Sequence, residues 1–248
     1  NEDIIVMGDL EIGSGARLRM AENNIVLTKK NGQHIVNGLL IGNGALRVQN
    51  SATLSSSVQS TSQISNLVIE ASPEDEIAIN AIKVIGSFTL TNGTVSISAA
   101  SEESPLLFET SVLHSSGILH LQGTFHIGSE TVPGSLHSIS GEVIMASESQ
   151  IRLSPSSVLT IGENSVWSVQ PTVEESIPTS GFVVFTGGGT IAAASPLPRL
   201  KLNPEGDVSD DIFLSGDVII SEALIVIDGD IFLGTHTLRH QGSIWQHD

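Results

Sequence analysis

The sequence predicts an all-β chain whose short strands stack into a parallel β-solenoid. Three observations lead to this fold class. Apolar and polar residues alternate with a period of two, Gly, Asn, Ser and Asp separate the runs, and similar strand–turn–strand units recur along the 248 residues. Period-two alternation is typical of half-buried strands, and recurring units of this kind indicate a stack in which each unit covers the apolar face of the next.

The alternation can be followed through short segments of the chain. In Ala16–Met20 the apolar residues face one way and the two Arg face the other, and in Phe88–Thr91 the two Thr face outward. Val166–Val169 and Leu200–Leu202 are similar short strands. No capped apolar stripe long enough for a helix occurs, so the sequence predicts almost no helix.

Repeats support a stacked architecture. The segment Ile12–Ala16 recurs as Ile41–Ala45, with the same Ile-Gly step followed by Gly-Ala. A longer match aligns Ile82–Ile97 with Ile212–Ile227 at one constant offset, with the glycine and the apolar positions in phase.

The longer repeat gives specific structural expectations. It places Gly86 and Gly216 in equivalent turns, where a missing side chain permits a positive φ or close stacking of the rungs. It also predicts that Leu90 and Ile220 point inward.

Composition and charge restrict the possible partners. Hydrophobic residues make up 40% of the chain and charged residues 15%, which is too apolar for a disordered protein. With 27 acidic and 10 basic residues the net charge is −17, so the chain is a poor partner for nucleic acid or an anionic membrane surface. It contains no Cys, and no apolar run is long enough to span a membrane.

Because the chain opens with Asn1 instead of Met, we expect residues 1–248 to be one solenoid fragment of a larger protein.

Several of these segments together resemble a known class of repeat. Gly181–Gly187, Leu200–Asn203, Ile212–Ile220 and Ile231–Leu238 follow one another in the pattern of the degenerate repeats of large bacterial surface proteins, adhesins and autotransporter-like passengers. Asn66–Ile97 resembles the same unit. The resemblance implies a right-handed parallel β-helix on a cell surface, and it carries over no functional residues.

The segment Gln170–Pro178 is the clearest internal break, because it contains two prolines and two acidic residues. It is either a loop that bulges from one rung or a joint between two solenoid segments at residues 170–180.

The histidines do not form a convincing metal site. His236 and His240 are four positions apart, but along a strand this separation is about 13 Å, too far for one ion. His120 and His126 alternate with apolar neighbours and face outward. They could approach each other if their strands pair, yet no third ligand is evident. We therefore predict ordinary surface histidines.

Carboxylates crowd one region of the chain and raise the question of a cation site. Calcium prefers oxygen ligands of this kind, but the spacing matches neither an EF-hand nor a calcium β-roll. We predict turn residues, with a cation site as the open alternative. The acidic residues concerned are Asp207, Asp210, Asp211, Asp217, Asp228 and Asp230.

A polysaccharide-cleaving β-helix is the main enzymatic alternative. Asp210–Asp211 and Arg199–Lys201 resemble the paired Asp and the Arg-x-Lys of pectin-cleaving hydrolases. However, the basic pair precedes the acids, and the Asn-Thr-Asp and Gly-His-Gly elements are missing. The sequence therefore predicts no enzyme and no catalytic, cofactor-binding or metal-binding residues.

Two functional classes follow from these observations. The first is a non-catalytic extracellular or cell-surface module, such as a stalk, an adhesin segment or a surface-filament subunit. Its partners would be other copies of itself or components of the cell surface or matrix. The second is a carbohydrate-active or carbohydrate-binding β-helix, which would need a groove with exposed aromatic residues and two facing carboxylates. Trp167 and Trp245 are the large platforms available, and burial of Trp167 would remove one of them.

Overall fold

The chain is built from β-strands alone within the residues that the structure describes. The computed structural model describes residues 2–58, 62–98, 106–108, 111–128, 132–145, 149–169, 182–194, 196–202, 211–242 and 244–247. Every regular element in these ranges is a strand, so the predicted all-β class is confirmed. In the same ranges, no helix has the length and apolar character needed to cross a membrane.

The strands are mostly short, as the alternation predicted. In chain order they are β1 (Ile4–Val6), β2 (Glu11–Ile12), β3 (Arg17–Ala21), β4 (Ile25–Leu27), β5 (Gly32–Val36), β6 (Leu39–Gly42), β7 (Leu46–Val48), β8 (Ala52–Ser55), β9 (Gln63–Ile64), β10 (Leu67–Glu70), β11 (Glu76–Asn80), β12 (Lys83–Val84), β13 (Ser87–Asn92), β14 (Thr94–Ser98), β15 (Leu106–Phe108), β16 (Ser111–His114), β17 (Ile118–Gln122), β18 (Thr124–Ile127), β19 (Ser135–Met145), β20 (Gln150–Leu153), β21 (Ser157–Val169), β22 (Phe182–Phe185), β23 (Gly189–Ala193), β24 (Leu197–Leu202), β25 (Ile212–Leu214), β26 (Val218–Val226), β27 (Ile231–Phe232), β28 (Leu238–His240) and β29 (Ile244–His247).

Parallel pairing arranges these strands on three walls of a solenoid. From β1 to β22, the chain visits wall 1, wall 2 and wall 3 in that order in each turn. The long strands β19 and β21 continue from wall 1 into wall 2 and join them into a 17-stranded sheet, whereas wall 3 is a 12-stranded sheet. Wall 1 contains β1, β4, β7, β10, β13, β16, the first parts of β19 and β21, β23, β25 and β27; wall 2 contains β2, β5, β8, β11, β14, β17 and the second parts of β19 and β21; wall 3 contains β3, β6, β9, β12, β15, β18, β20, β22, β24, β26, β28 and β29. The predicted parallel β-solenoid is thus confirmed, and its right-handed winding stays a prediction.

The core is a set of ladders in which equivalent apolar side chains stack from rung to rung. On wall 1, Ile25, Leu46, Leu67 and Phe88 pair in succession, at a constant interval in the sequence. All four are at most 2% exposed. Burial of a side chain of this size contributes roughly 1.5–3 kcal/mol relative to leaving it in water. Each rung therefore depends on its neighbours to cover its apolar face.

The corner between walls 1 and 2 is turned by a ladder of glycines. Gly93, Gly117 and Gly141 have φ angles of +99°, +90° and +110°, a region that other residues rarely adopt. A Cβ atom on Gly117 would lie 2.4 Å from the carbonyl oxygen of Gly93, and one on Gly141 would lie 2.5 Å from that of Gly117. Glycine is therefore required here both for the turn and for the close approach of successive rungs.

The repeats seen in the sequence join different walls of the solenoid. Ile12 lies on β2 of wall 2, whereas Ile41 lies on β6 of wall 3. In the longer match, Val84 lies on wall 3 and the aligned Leu214 on wall 1. The repeat thus reflects a strand–turn–strand pattern that each corner needs, and it does not mark the turn of the solenoid.

The expectation that Gly86 and Gly216 occupy equivalent turns is therefore wrong. Gly86 leads from wall 3 to wall 1, whereas Gly216 leads from wall 1 to wall 3. A Cβ on Gly86 would lie 2.4 Å from the Ser65 carbonyl oxygen, so the predicted close stacking holds there. At Gly216 the nearest atom is 3.4 Å away, an ordinary contact. Leu90 and Ile220 are fully buried, which confirms their inward assignment.

The predicted break at Gln170–Pro178 lies outside the described residues. On either side of it, β20 and β22 pair in parallel on wall 3, with Gln150 opposite Phe182 and Leu153 opposite Phe185. The choice between a bulging loop and a joint at residues 170–180 stays a prediction.

Candidate functional site

A shallow trough crosses the strands on the outer side of wall 2. Alternate residues of these strands face outward because their neighbours in sequence enter the core, as in β11, where Ile77 and Ile79 are buried. The register of pairing places equivalent outward residues in rows that run from rung to rung. The middle row consists of Gln33, Thr53, Ala78, Ser96, His120 and Ile144.

A second outward row lies beside the first; it begins with Ile35 on β5 and is polar from β8 to β17. Ser55, Asn80, Ser98 and Gln122 follow one another across β8, β11, β14 and β17. The two rows together present hydroxyl, amide and imidazole groups at the regular spacing of the strands, about 4.8 Å.

Acidic residues stand at the start of the wall 2 strands and line the same trough. Asp75 is buried and accepts hydrogen bonds from Ser51 N at 3.1 Å, Ser51 Oγ at 2.6 Å and Ser72 N at 3.1 Å. These bonds, with the Ser51 hydroxyl as the largest cause, lower the pKa of Asp75. Because Asp75 fixes this turn, the flanking Glu74 and Glu76 are held at the exposed surface beside the trough.

The trough has the size of a ligand site. One part, with a volume of about 330 Å³, is lined by residues that include Gln33, Thr53, Glu76 and Ser96. The adjoining part, about 260 Å³, is lined by Ser96 and by residues of the next rungs, including His120. The two parts meet at Ser96 and form one surface across β5, β8, β11, β14 and β17, which we call the wall 2 trough.

The histidines considered as metal ligands lie apart. His120 is on wall 2 and His126 is on wall 3, so their strands do not pair. Burial lowers the pKa of His126, with a smaller contribution from the charge of Arg152 on the next rung. His236 Nδ1 lies 3.9 Å from Asp217 Oδ1. Among the described residues, no three His, Asp or Glu side chains come together in a group that could hold a metal ion.

The crowded carboxylates are divided between described and undescribed residues. Asp207 and Asp210 lie outside the described residues. Asp217 accepts a hydrogen bond from Thr237 N at 2.8 Å, and Asp228 accepts one from Gly229 N at 2.9 Å. These two side chains therefore have the backbone contacts expected of turn residues, and a cation site formed by the whole group stays the alternative prediction.

Arg199, the first residue of the basic pair that resembled a hydrolase motif, contacts other residues of wall 3 and is not free to meet a substrate. Arg199 is buried, its Nε donates to Glu222 Oε2 at 2.8 Å, and its guanidinium lies 6.0 Å from the ring centre of Phe182. An arginine held in this way stabilises the last rungs of wall 3 by an ion pair and a cation–π contact.

The large aromatic residues differ in how far the structure describes them and in their exposure. Trp167 is buried with 8% exposure, and the side chain of Trp245 lies outside the described part. Phe213 and Phe232 are about half exposed, but their rings stack on each other at 5.1 Å with an interplanar angle of 16°. Because the rings stack, each covers one face of the other, and the pair stabilises adjoining rungs of wall 1.

Buried polar groups within the core were not expected from the sequence. His114 is fully buried, with Nδ1 3.2 Å from Ser138 Oγ and Nε2 3.1 Å from the Gly117 carbonyl oxygen. Ser138 Oγ in turn lies 2.9 Å from Ser165 Oγ. These residues occupy inward positions in successive rungs, a signal that becomes visible only when the turns of the solenoid are known.

The wall 2 trough was also missed at the sequence level. Thr53, Ser96 and Ser98 look like ordinary outward residues of separate strands, and the pairing register alone brings them together. In comparisons with known proteins, no family model, no curated protein and no solved structure matches this chain.

Proposed function

We propose that the chain is a non-catalytic structural or adhesive module that works outside the cell or on its surface. The observation that carries the proposal is the continuous ladder core, in which Ile25, Leu46, Leu67 and Phe88 are covered by successive rungs. Such a stack positions its outer walls rigidly and presents a repeated surface to a partner. This arrangement suits a stalk, an adhesin segment or a filament subunit.

The outer surface supports an interaction role more than a catalytic one. The usual hydrolysis of a glycosidic bond uses two carboxyl groups that flank the bond. In the wall 2 trough, Glu74 and Glu76 both stand at the start of β11 and flank the same buried Asp75. This placement favours holding a ligand over cutting it.

The second class, a carbohydrate-binding β-helix, is favoured by one observation. The wall 2 trough is concave and carries hydroxyl and amide side chains in rows, which are the groups that bind sugar hydroxyls. It is compatible with the adhesive function, because an adhesive surface needs a ligand.

Two measurements test the proposed function. Antibodies against the purified chain should label intact cells of the source, and the label should not need permeabilisation. Incubation with common polysaccharides should release no new reducing ends or unsaturated products above background. Labelling that appears only after permeabilisation would contradict the surface location, and turnover would contradict the non-catalytic role.

A further inference from the structure

We infer that the wall 2 trough binds an uncharged, polyhydroxylated polymer, a neutral polysaccharide, lying across the strands. The inference rests on the proposed adhesive function and adds a location, a direction and a ligand class to it. It is carried by the shape of the trough, its side chains and its charges.

The shape of the trough fits a chain that runs along the solenoid axis. Its floor is low because the middle row has the short side chains of Ala78 and Ser96, while Gln33 and His120 stand at either end of this stretch. From β5 to β17 there are four steps between paired strands. At the usual spacing of about 4.8 Å these steps span about 19 Å. A polymer in this position meets two polar outward side chains on each of β8, β14 and β17, and one on each of β5 and β11.

The side chains suit sugar hydroxyls. A Ser hydroxyl or an Asn or Gln amide can both donate and accept hydrogen bonds, as a sugar hydroxyl does. Within the described part of the chain, the side chains of Asn80, Ser96, Ser98 and Gln122 make no hydrogen bond to other protein groups, so they remain available to a ligand. Gln33 and Thr53 are joined only by a long contact of 3.4 Å.

The backbone of wall 2 argues against an extended peptide. A peptide that adds to a β-sheet needs a strand edge with free N–H and C=O groups. In the trough, β8, β11 and β14 each pair on both sides, so their backbone groups are already used. Recognition must therefore come from side chains, which favours a ligand rich in hydroxyl groups.

The charges that line the wall 2 trough favour a neutral polymer over an anionic one. The residues that line the two parts of the trough include Glu74 and Glu76 but no Lys or Arg. A polymer that carries a carboxylate or sulfate on each sugar would meet these two like charges, and the net charge of −17 would oppose its approach. An uncharged polysaccharide avoids both costs.

Electrophoresis of the native protein through gels that contain a soluble polysaccharide tests the inference. The probes are galactomannan, hydroxyethyl cellulose and a mixed-linkage β-glucan, with polygalacturonate as the anionic probe. We expect at least one neutral polymer to retard the protein and polygalacturonate to leave its mobility unchanged. Ala78→Trp, which fills the floor, should weaken the retardation at least tenfold, while Thr89→Trp on the outer side of wall 1 should leave it unchanged.

A measurement on the unaltered protein covers the case in which Ala78→Trp fails to fold. In NMR titrations with an oligosaccharide of the retarding polymer, the imidazole signals of His120 should shift and those of His137 on wall 1 should stay in place. Lack of retardation by all three neutral polymers, retardation by polygalacturonate alone, or equal effects of Ala78→Trp and Thr89→Trp would overturn the inference. These outcomes leave surface labelling and the absence of turnover untouched, so failure of the ligand assignment is distinguishable from failure of the proposed function.

Discussion

The imidazole of His34 accepts a hydrogen bond from the backbone N–H of Leu10, with Nδ1 3.0 Å from the nitrogen. This bond joins the first two rungs of wall 2. Because Nδ1 accepts, the neutral ring carries its proton on Nε2, and this atom is buried without a hydrogen-bond partner in the described part of the chain. Protonation of Nδ1 would remove the acceptor from Leu10 and place a charge in the core.

We predict that the protein loses stability on mild acidification. Burial is the largest cause that lowers the pKa of His34, while the charge of Asp9 raises it and that of Lys29 lowers it. Burial also lowers the pKa of His114 and of His126. A lowered pKa means that the unfolded chain binds more protons near pH 6.5 than the folded chain, so the free energy of unfolding falls as the pH decreases below about 7. Each such group contributes at most about 1.4 kcal/mol per pH unit.

Urea unfolding between pH 7.5 and 5.5 measures this dependence. His34→Leu should reduce the slope of unfolding free energy against pH, because Leu continues the apolar row that begins with the neighbouring Leu54. His137→Gln, which changes an outward side chain of wall 1, is the matched control. A slope that is the same in all three proteins would show that His34 does not titrate in this range.

The inward and outward sides of single strands could be predicted from the sequence, whereas the turn of the solenoid could not. Phe88 and Leu90 were assigned correctly because alternation is a local property of one strand. The period was obscured because the step on wall 1 is not constant: it is longer from Phe88 to Val112 than from Leu67 to Phe88. Local similarity between corners also produced matches, such as that of Ile12 with Ile41, that join different walls.

The wall 2 trough could not be predicted either, because it depends on the pairing register of the solenoid turns. Thr53, Ala78 and Ser96 are far apart in the sequence and unevenly spaced, and only the pairing register makes them neighbours. The buried polar residues His114 and Ser138 were missed for the same reason, because only the pairing register shows that they are neighbours. The evenly spaced ladder of apolar residues on wall 1 was the signal from which the register of the first rungs could have been obtained; its members are Ile4, Ile25, Leu46 and Leu67.

Replacement of one core residue should show how strongly the ladder stabilises the fold. Leu90 is fully buried between Ile69 and His114 of the adjoining rungs. We expect Leu90→Ala to lower the free energy of unfolding by about 2–5 kcal/mol, the range for emptying a packed site. Thr89→Ala, on the outer side of the same strand, should cost less than about 0.5 kcal/mol. Equal costs in urea unfolding would mean that the outer side of β13 is covered by another part of the protein.

The glycine ladder at the corner between walls 1 and 2 gives a second stability prediction. Gly117→Ala introduces a Cβ at a φ of +90° and 2.4 Å from the Gly93 carbonyl oxygen. We expect a loss of at least about 1–3 kcal/mol, the cost of holding a non-glycine residue in a sparsely populated conformation. Gly216→Ala is the control, because its nearest neighbour would be 3.4 Å away, and it should change stability by less than about 0.5 kcal/mol. Thermal unfolding of the two variants under one set of conditions makes the comparison, and a milder effect at Gly117 than at Gly216 would refute it.

The acidic surface should make stability depend on salt. Asp211 and Asp230 immediately precede the paired residues Ile212 and Ile231, so they occupy the same position in adjoining rungs. Like charges at neighbouring positions of adjacent strands are destabilising. Monovalent salt screens them, because the Debye length falls from about 10 Å at 0.1 M to about 3 Å at 1 M. We therefore expect the melting temperature to rise smoothly with sodium chloride.

Calcium distinguishes screening from a specific cation site in the same region. A specific site stabilises the folded protein by mass action at millimolar calcium, where ionic strength barely changes, and its effect saturates. Without such a site, calcium and magnesium at equal concentration should raise the melting temperature by the same small amount. The measurement is a calorimetric titration of the melting temperature with each ion, repeated for Asp210→Asn/Asp211→Asn, with Glu2→Gln/Asp3→Asn as a control of equal charge change. A saturable rise with calcium alone, abolished in the first double variant and retained in the second, would replace the screening explanation with a calcium site.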